Sequence, residues 1–153
     1  MKKRKRASSS TLFLMELIVA VMFFALAATV CIAVFVRAHV LSTDAKELNM
    51  AANLTSDAAE IIRSQNSISG VRSLFIRSYK NAVISGPDSA CEIDIYFDGN
   101  FREIIADHAV YKEQINMEFA DSLLVISIDF HGKDGNVIYS IHLNHDLMQR
   151  GTT

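Results

Sequence analysis

Glycine, proline and cysteine are all scarce in this sequence. Its 153 residues contain six glycines, one proline and two cysteines. So little glycine and proline excludes a collagen and a Pro/Gly-rich disordered chain. Two cysteines are too few for a small disulfide-stapled domain or for a cysteine-based zinc site. What is left is a chain with the length of one domain, half of whose residues are hydrophobic.

Charge is unevenly distributed along the chain, although the formal net charge is only −2. Residues 1–11 hold five cations and no acid, whereas the remainder holds ten Lys or Arg and seventeen Asp or Glu. A basic tip, an apolar stretch and an acidic body are typical of a membrane protein with one short cytoplasmic tail. The acidic body argues against nucleic acid as a partner, and anionic lipid headgroups account better for the basic cluster Lys2–Arg6.

The run over residues 12–36 is almost uniformly apolar and decides the class of protein. It reads LFLMELIVAVMFFALAATVCIAVFV and holds one charge, Glu16. A helix of this length spans about 37 Å, more than a hydrocarbon core of about 30 Å. We therefore predict a transmembrane helix over residues 12–36. Residues 1–11 form a basic cytoplasmic leader, and the C-terminal part lies outside the cell membrane.

A cleaved signal peptide is the alternative interpretation of the same run. Leu12–Phe24 would serve as its apolar core, and Ala25–Ala27 fits a small-x-small cleavage site. Glu16 inside that core, and the apolar residues that continue from Ala28 to Val36, count against such a cleavage. The sequence favours a retained span over a secreted domain released by signal peptidase.

Beyond the apolar run the pattern first keeps a helical period. No proline or glycine interrupts residues 12–69. Apolar residues recur at spacings of three, four or seven and form a stripe along one side of a helix: Leu41, Ala45, Leu48, Ala52, Ala59 and Ile62. Thr55 occupies the position between Ala52 and Ala59 in this stripe. We predict one helix from about residue 12 to about residue 63, with residues 37–69 as its amphipathic continuation. Residues 70–90 are predicted to be a loop with a short helix over Val71–Tyr79.

From Cys91 to about residue 146 polar and apolar residues alternate, which is the period of half-buried strands. Asp98–Asn100 predicts a hairpin turn into a strand over Phe101–Ile105, and the pattern leaves the register of this hairpin open. The later pairings follow from keeping one face apolar. A two-residue turn at residues 121–122 pairs Phe119 with Leu124, Met117 with Ile126 and Ile115 with Ile128. A four-residue loop at residues 132–135 pairs Phe130 with Val137, Ile128 with Tyr139, Ile126 with Ile141 and Leu124 with Leu143.

The resulting sheet has one apolar face that must be covered, and the apolar stripe over residues 41–62 is the long apolar surface available to cover it. The predicted fold class is therefore α+β. A long N-terminal helix packs its second half on an antiparallel meander over residues 91–146, and residues 147–153 form a tail.

This layout resembles the type IV pilin and pseudopilin family. Leu12–Glu16 is similar to the family's Phe-Thr-Leu-Ile-Glu motif, with Glu16 at the fifth place, and Lys2–Arg6 resembles its basic leader. Thr11 stands where the family usually has Gly, and Leu12 and Phe13 stand where it usually has Phe and Thr. The specific match covers residues 2–36, whereas the remainder matches only in architecture.

The resemblance implies a structural, non-enzymatic subunit: a minor pilin or pseudopilin of a type IV pilus, a competence pseudopilus or a type II secretion pseudopilus. It implies cleavage between Thr11 and Leu12 by a prepilin peptidase, and N-methylation of Leu12. Glu16 would then pair with the freed amine of a neighbouring subunit. The implied partners are membrane lipid, other pilin-like subunits and an inner-membrane assembly platform. A separate ATPase supplies the energy, so no nucleotide is implied.

Taken without the resemblance, Glu16 fits a second role equally well. It lies about 6 Å from the start of the apolar run, so it could reach the cytoplasmic interface or meet a leader cation. The competing function is accordingly a permanent single-pass anchor whose outer domain binds a partner.

Other side chains offer little chemistry. His142 with His145 lacks a third zinc ligand, and Asp129, Asp134 and Asn136 do not have calcium-loop spacing. His131 falls on the polar face of the predicted sheet. The sequence has no nucleophile elbow and no glycine-rich phosphate loop. We therefore predict no catalytic residue, no metal and no cofactor.

Overall fold

The computed structural model describes residues 9–87, 89–120 and 123–145. Helix α1 covers Ser9–Arg63 and helix α2 covers Ile68–Ser78. A short 3-10 helix covers Ala106–His108. The strands are β1 (Val83–Ser85), β2 (Ala90–Phe97), β3 (Tyr111–Ala120), β4 (Leu123–His131) and β5 (Val137–His145).

The chain divides into two structural units, of which one ends at Asp44 and the other begins at Ala45. Helix α1 begins three residues before the predicted start. By length and composition its N-terminal part can cross a membrane. The side chains of residues 12–36 are exposed.

Helix α1 ends at Arg63, where the periodicity predicts its end. Ser64 Oγ donates to the Ile61 carbonyl oxygen at 2.7 Å, and the Gln65 amide donates to the Ile62 carbonyl oxygen at 3.1 Å. These bonds satisfy carbonyls that the last helical turn leaves free. The predicted short helix exists, but it covers residues 68–78 rather than 71–79.

Ser67 explains this earlier start of α2. Its Oγ accepts a hydrogen bond from the Gly70 amide at 3.2 Å, which is the geometry of an N-cap. Gly70 therefore lies in the first turn of a new helix rather than at the end of the preceding one.

The five strands form one antiparallel sheet in the order β1-β2-β3-β4-β5, a meander. Together with α1 it confirms the predicted α+β class. The predicted pairing of β3 with β4 is also confirmed: Ile115 lies opposite Ile128, Met117 opposite Ile126 and Phe119 opposite Leu124. Residues 121–122, the predicted turn, lie outside the described residues.

The predicted pairing of β4 with β5 is wrong by two residues. Ile128 pairs with Ile141 rather than Tyr139, and the other three predicted pairs shift by the same amount. Two structural features account for this shift of two residues. One is a bulge beside Phe130 and His131. The other is the loop after β4, which is closed by a hydrogen bond from the Gly132 amide to the Asn136 carbonyl oxygen. A shift of two keeps the same face apolar, but Val137 is 52% exposed.

The predicted strand over Phe101–Ile105 is wrong as well. A single bridge, Phe97 with Glu103, forms in the described segment between β2 and β3. The predicted turn itself is present, because the Asp98 carboxylate accepts bonds from the Asn100 and Arg102 amides at 2.8 and 2.9 Å. Phe101 has a φ of 61° and stacks on the Tyr111 ring at 4.6 Å between centroids. Strand β2 pairs with β3 instead, and the unpredicted β1 pairs with β2.

The core of the second unit lies between the sheet's apolar face and the helices. Three predicted stripe residues, Thr55, Ala59 and Ile62, are buried there. The earlier part of the stripe is wrong: Ala45 is exposed, as are Leu41 at 70% and Leu48 at 47%. Among the described residues of α1 the first buried side chain is Ala51, so the predicted stripe begins ten residues before burial does. Ala51 and Ala58 are fully buried instead.

Candidate functional site

Glu16 stands alone among apolar residues on α1. One turn away on its side of the helix lie Leu12 and Phe13 before it, and Val19 and Ala20 after it. All these side chains are exposed, and no Lys or Arg occurs within four positions. Within its own helical turn the carboxylate therefore has no cation to pair with. The leader cations that Glu16 could meet, Lys2–Arg6, lie outside the described residues.

The predicted processing bond, between Thr11 and Leu12, lies inside the first turn of α1, which begins at Ser9. Both side chains are exposed. The ends of helices open at little cost in free energy. A protease that binds an extended chain needs only that local opening to reach the bond.

In the second unit a cluster of three side chains, here called the clamp, joins α1 to the sheet. Its members are Glu47 on α1, Tyr111 at the start of β3, and Lys133 after β4. The Glu47 Oε1 atom accepts bonds from Tyr111 Oη at 2.7 Å and from Lys133 Nζ at 3.0 Å. Lys133 Nζ also lies 5.7 Å from the centre of the Tyr111 ring, within cation–π range.

The clamp stabilises the ionised form of its acid. Hydrogen bonds from Tyr111 and then from Lys133 lower the pKa of Glu47 below its ordinary 4.5, against a smaller effect of burial. The hydrogen bond to Glu47 raises the pKa of Lys133. Burial is the main cause that raises the pKa of Tyr111, and the bond to Glu47 adds to it. This is a structural use of charge, with a phenol and an amine both donating to one carboxylate.

A second acid, Glu113 on β3, is fully buried on the apolar face of the sheet. Neither of its carboxylate oxygens, nor the buried Thr55 hydroxyl on α1, has a hydrogen-bond partner in the described residues. Burial raises the pKa of Glu113 to about 7; the nearby Thr55 hydroxyl opposes this rise, and the charge of Asp57 adds to it.

The sequence pattern does not predict the role of either acid, although a signal for the burial of Glu113 is present. The alternation that marks Ile115 and Met117 as inward-facing continues backwards to Glu113 and Tyr111. The predicted pairings of this strand nevertheless begin with Ile115, because a charged residue normally lies on the solvent face. Nothing in the sequence signals Glu47 as a clamp residue, since its partners are 64 and 86 positions away.

The outer face of the sheet carries polar pairs between neighbouring strands. Lys112 Nζ lies 2.9 Å from an Asp94 oxygen, and Ser140 Oγ donates to Asp129 Oδ1 at 2.6 Å. His131 Nδ1 lies 3.2 Å from the Gly135 carbonyl oxygen, and His142 Nε2 lies 3.5 Å from Ser140 Oγ. Among the described residues no three His, Cys, Asp or Glu side chains are grouped so as to hold a metal ion.

No family model, no curated protein and no solved structure matches this chain.

Proposed function

We propose that this chain is a pilin-like structural subunit, a minor pilin or pseudopilin, that assembles through its N-terminal helix. The filament would be a type IV pilus, a competence pseudopilus or a type II secretion pseudopilus. The protein would be held in the cell membrane, with residues 1–11 cytoplasmic and the sheet outside. In this proposal it is not an enzyme, and a separate ATPase drives assembly.

The observation that carries the proposal is the combination found in α1 and the sheet. One unbroken helix of 55 residues begins with a segment that can cross a membrane and ends in a segment that packs on an antiparallel meander. Glu16 is the one charge in the apolar run over residues 12–36. A carboxylate at the centre of a spanning helix costs about 2.5–3.5 kcal/mol or more. Glu16 lies nearer the start of the run, about 6 Å in, so its cost is smaller, but a cationic partner would still stabilise it. A freed amine on a neighbouring subunit is such a partner.

The decisive measurement is the intact mass and N-terminal sequence of the protein isolated from its native membrane. A chain that starts at Leu12, especially one with an additional methyl group, supports the proposal because cleavage creates the amine that Glu16 needs. A chain that still starts at Met1 overturns it. The permanent anchor then becomes the better account, and Thr11 in place of the family's usual Gly is the feature that favours it.

Substitution of Glu16 tests the assembly role directly. We expect Glu16→Gln to insert into the membrane normally but to lose cross-linking between copies, because the amide cannot form an ion pair with an amine. Glu60→Gln is the matched control, since Glu60 is an exposed acid elsewhere on the same helix. Undiminished cross-linking of Glu16→Gln would contradict the role.

A further inference from the structure

Glu113 occupies the middle of the packed layer between α1 and the sheet. Ile95 on β2 and Phe130 on β4 lie opposite it in the strand registers, and both are fully buried. The carboxyl group is fully buried too, and neither oxygen has a hydrogen-bond partner in the described part of the chain. An ionised carboxylate without a partner in such surroundings is costly, so the neutral form is strongly favoured.

The groups that face Glu113 from the neighbouring elements do not offset a negative charge. Helix α1 contributes the Thr55 hydroxyl, and the charge of Asp57 acts on Glu113 from an exposed side chain of the same helix. Tyr79 follows α2 directly. Burial is the main cause that raises its pKa to about 12, and the charges of Glu113, Asp57 and Glu103 add to that rise. The acting groups are thus acids, a phenol and a hydroxyl, and none is a cation. Ionising Glu113 would place an unpaired negative charge in the buried layer, and the charge of Asp57 opposes that ionisation.

We propose that Glu113 is a proton-dependent lock on the contact between residues 45–63 of α1 and the sheet. With its proton bound, the carboxyl group packs as a neutral side chain and the helix lies tightly on the sheet. When the proton leaves, the layer must open to admit water to the carboxylate, and the segment around Thr55 loosens. The inference does not depend on the proposed function.

The direction of the pH dependence follows from the two protonation equilibria. The pKa of Glu113 is about 7 in the folded protein and 4.5 for an ordinary glutamate. Between these values the folded state keeps a proton that the unfolded state has lost, so the free energy of unfolding falls as pH rises. The stabilisation is complete below about pH 4.5 and is lost as pH passes through about 7. The clamp acid Glu47 has the opposite dependence, because its pKa is lowered on folding.

The test compares two glutamates of one strand in the full-length protein in detergent micelles. Glu113 faces inward and Glu118, five residues later, is exposed on the other face. We expect the unfolding constant from urea titrations to rise at least ~10-fold between pH 5 and pH 8 for the wild type and for Glu118→Gln. For Glu113→Gln we expect most of that rise to disappear, because the amide cannot ionise. An equal rise in Glu113→Gln would overturn the proposal.

Hydrogen exchange locates the effect. In the wild type, amides of Ala51–Ile62 should exchange faster at pH 8 than the chemical pH dependence explains, while amides in the middle of β4 should show a smaller excess. An excess that is equal in both elements would overturn the lock, because it would mean general destabilisation.

A measurement on the wild type covers the case in which Glu113→Gln does not fold. Carbon NMR of glutamate carboxyl groups should show one resonance with a midpoint near pH 7, the pKa that burial gives Glu113. Thr55→Val should move that midpoint upward, because the hydroxyl lowers the pKa of Glu113. If every glutamate outside the apolar run over residues 12–36 titrates below about pH 5.5, close to the ordinary value, the lock does not exist.

Discussion

Two glutamates within one helix–sheet contact are treated in opposite ways. Glu47 lies at the margin of the contact, where a phenol and an amine donate to it, and its pKa is lowered by those bonds. Glu113 lies inside, where neither carboxylate oxygen has a hydrogen-bond partner among the described residues. Burial raises its pKa, and the nearby Thr55 hydroxyl opposes that rise only in part. The same residue type therefore stabilises the contact as an anion at position 47 and is favoured as a neutral acid at position 113. Only the neighbouring groups differ.

The clamp gives the first residue-scale prediction. Glu47→Gln should lower the free energy of unfolding at pH 7 by about 1 kcal/mol, because a mostly exposed charge-assisted pair contributes little beyond one hydrogen bond. Urea titration of the full-length protein measures the change. Because the pKa of Glu47 is lowered, its stabilisation is present above pH 4.5 and is lost as pH falls further. The difference between variant and wild type should therefore shrink in acid.

Glu60→Gln serves again as the control for this variant, since an exposed substitution changes stability by less than about 0.5 kcal/mol. A loss in Glu60→Gln as large as that in Glu47→Gln would show that the clamp contributes nothing specific.

At the scale of elements, the turn from β1 into β2 depends on one glycine. Gly86 has a φ of +85°, and a Cβ atom there would meet the Ala90 carbonyl oxygen. We expect Gly86→Ala to destabilise the second unit by about 1–3 kcal/mol, the cost of a strained backbone conformation. Gly99, in the turn after β2, has no atom within 4 Å of such a Cβ, so Gly99→Ala should change stability much less. Thermal unfolding of both variants decides whether the difference exists.

The elements also show how far sequence patterns carry. The end of α1 at Arg63 and the pairing of β3 with β4 could be predicted, because each depends on periodicity and on one apolar face. The β4–β5 register could not, since a bulge inserts a residue without any change in the alternation that precedes it. The strand over Phe101–Ile105 does not form, because Phe101 adopts a positive φ and stacks on Tyr111, a contact that the alternation of polar and apolar residues does not encode. Burial of Glu113 contradicts the usual preference of its residue type.

At the scale of the whole chain, the uneven charge of the sequence leads to a prediction about orientation. Five cations precede the apolar run and one, Arg37, follows it directly. Replacing Lys2, Lys3, Arg4, Lys5 and Arg6 by Ser should weaken or reverse the preferred orientation, because cations near a span set its topology. Protease added outside spheroplasts should cleave the second unit of the wild type and spare more of it in the variant. Equal cleavage in both would show that the leader charge does not set the orientation.

The observed β4–β5 register differs from the predicted one by two residues, and this difference bears on which insertions and deletions the protein can accept during evolution. Side chains of a strand alternate, so a loop that gains or loses two residues returns every later side chain to its own face. A gain or loss of one residue exchanges the two faces unless a bulge absorbs it, as the irregularity beside Phe130 and His131 does here. Natural variants of this protein should therefore differ by even numbers of residues between His131 and Val137, and an odd difference should be accompanied by the appearance or disappearance of the bulge.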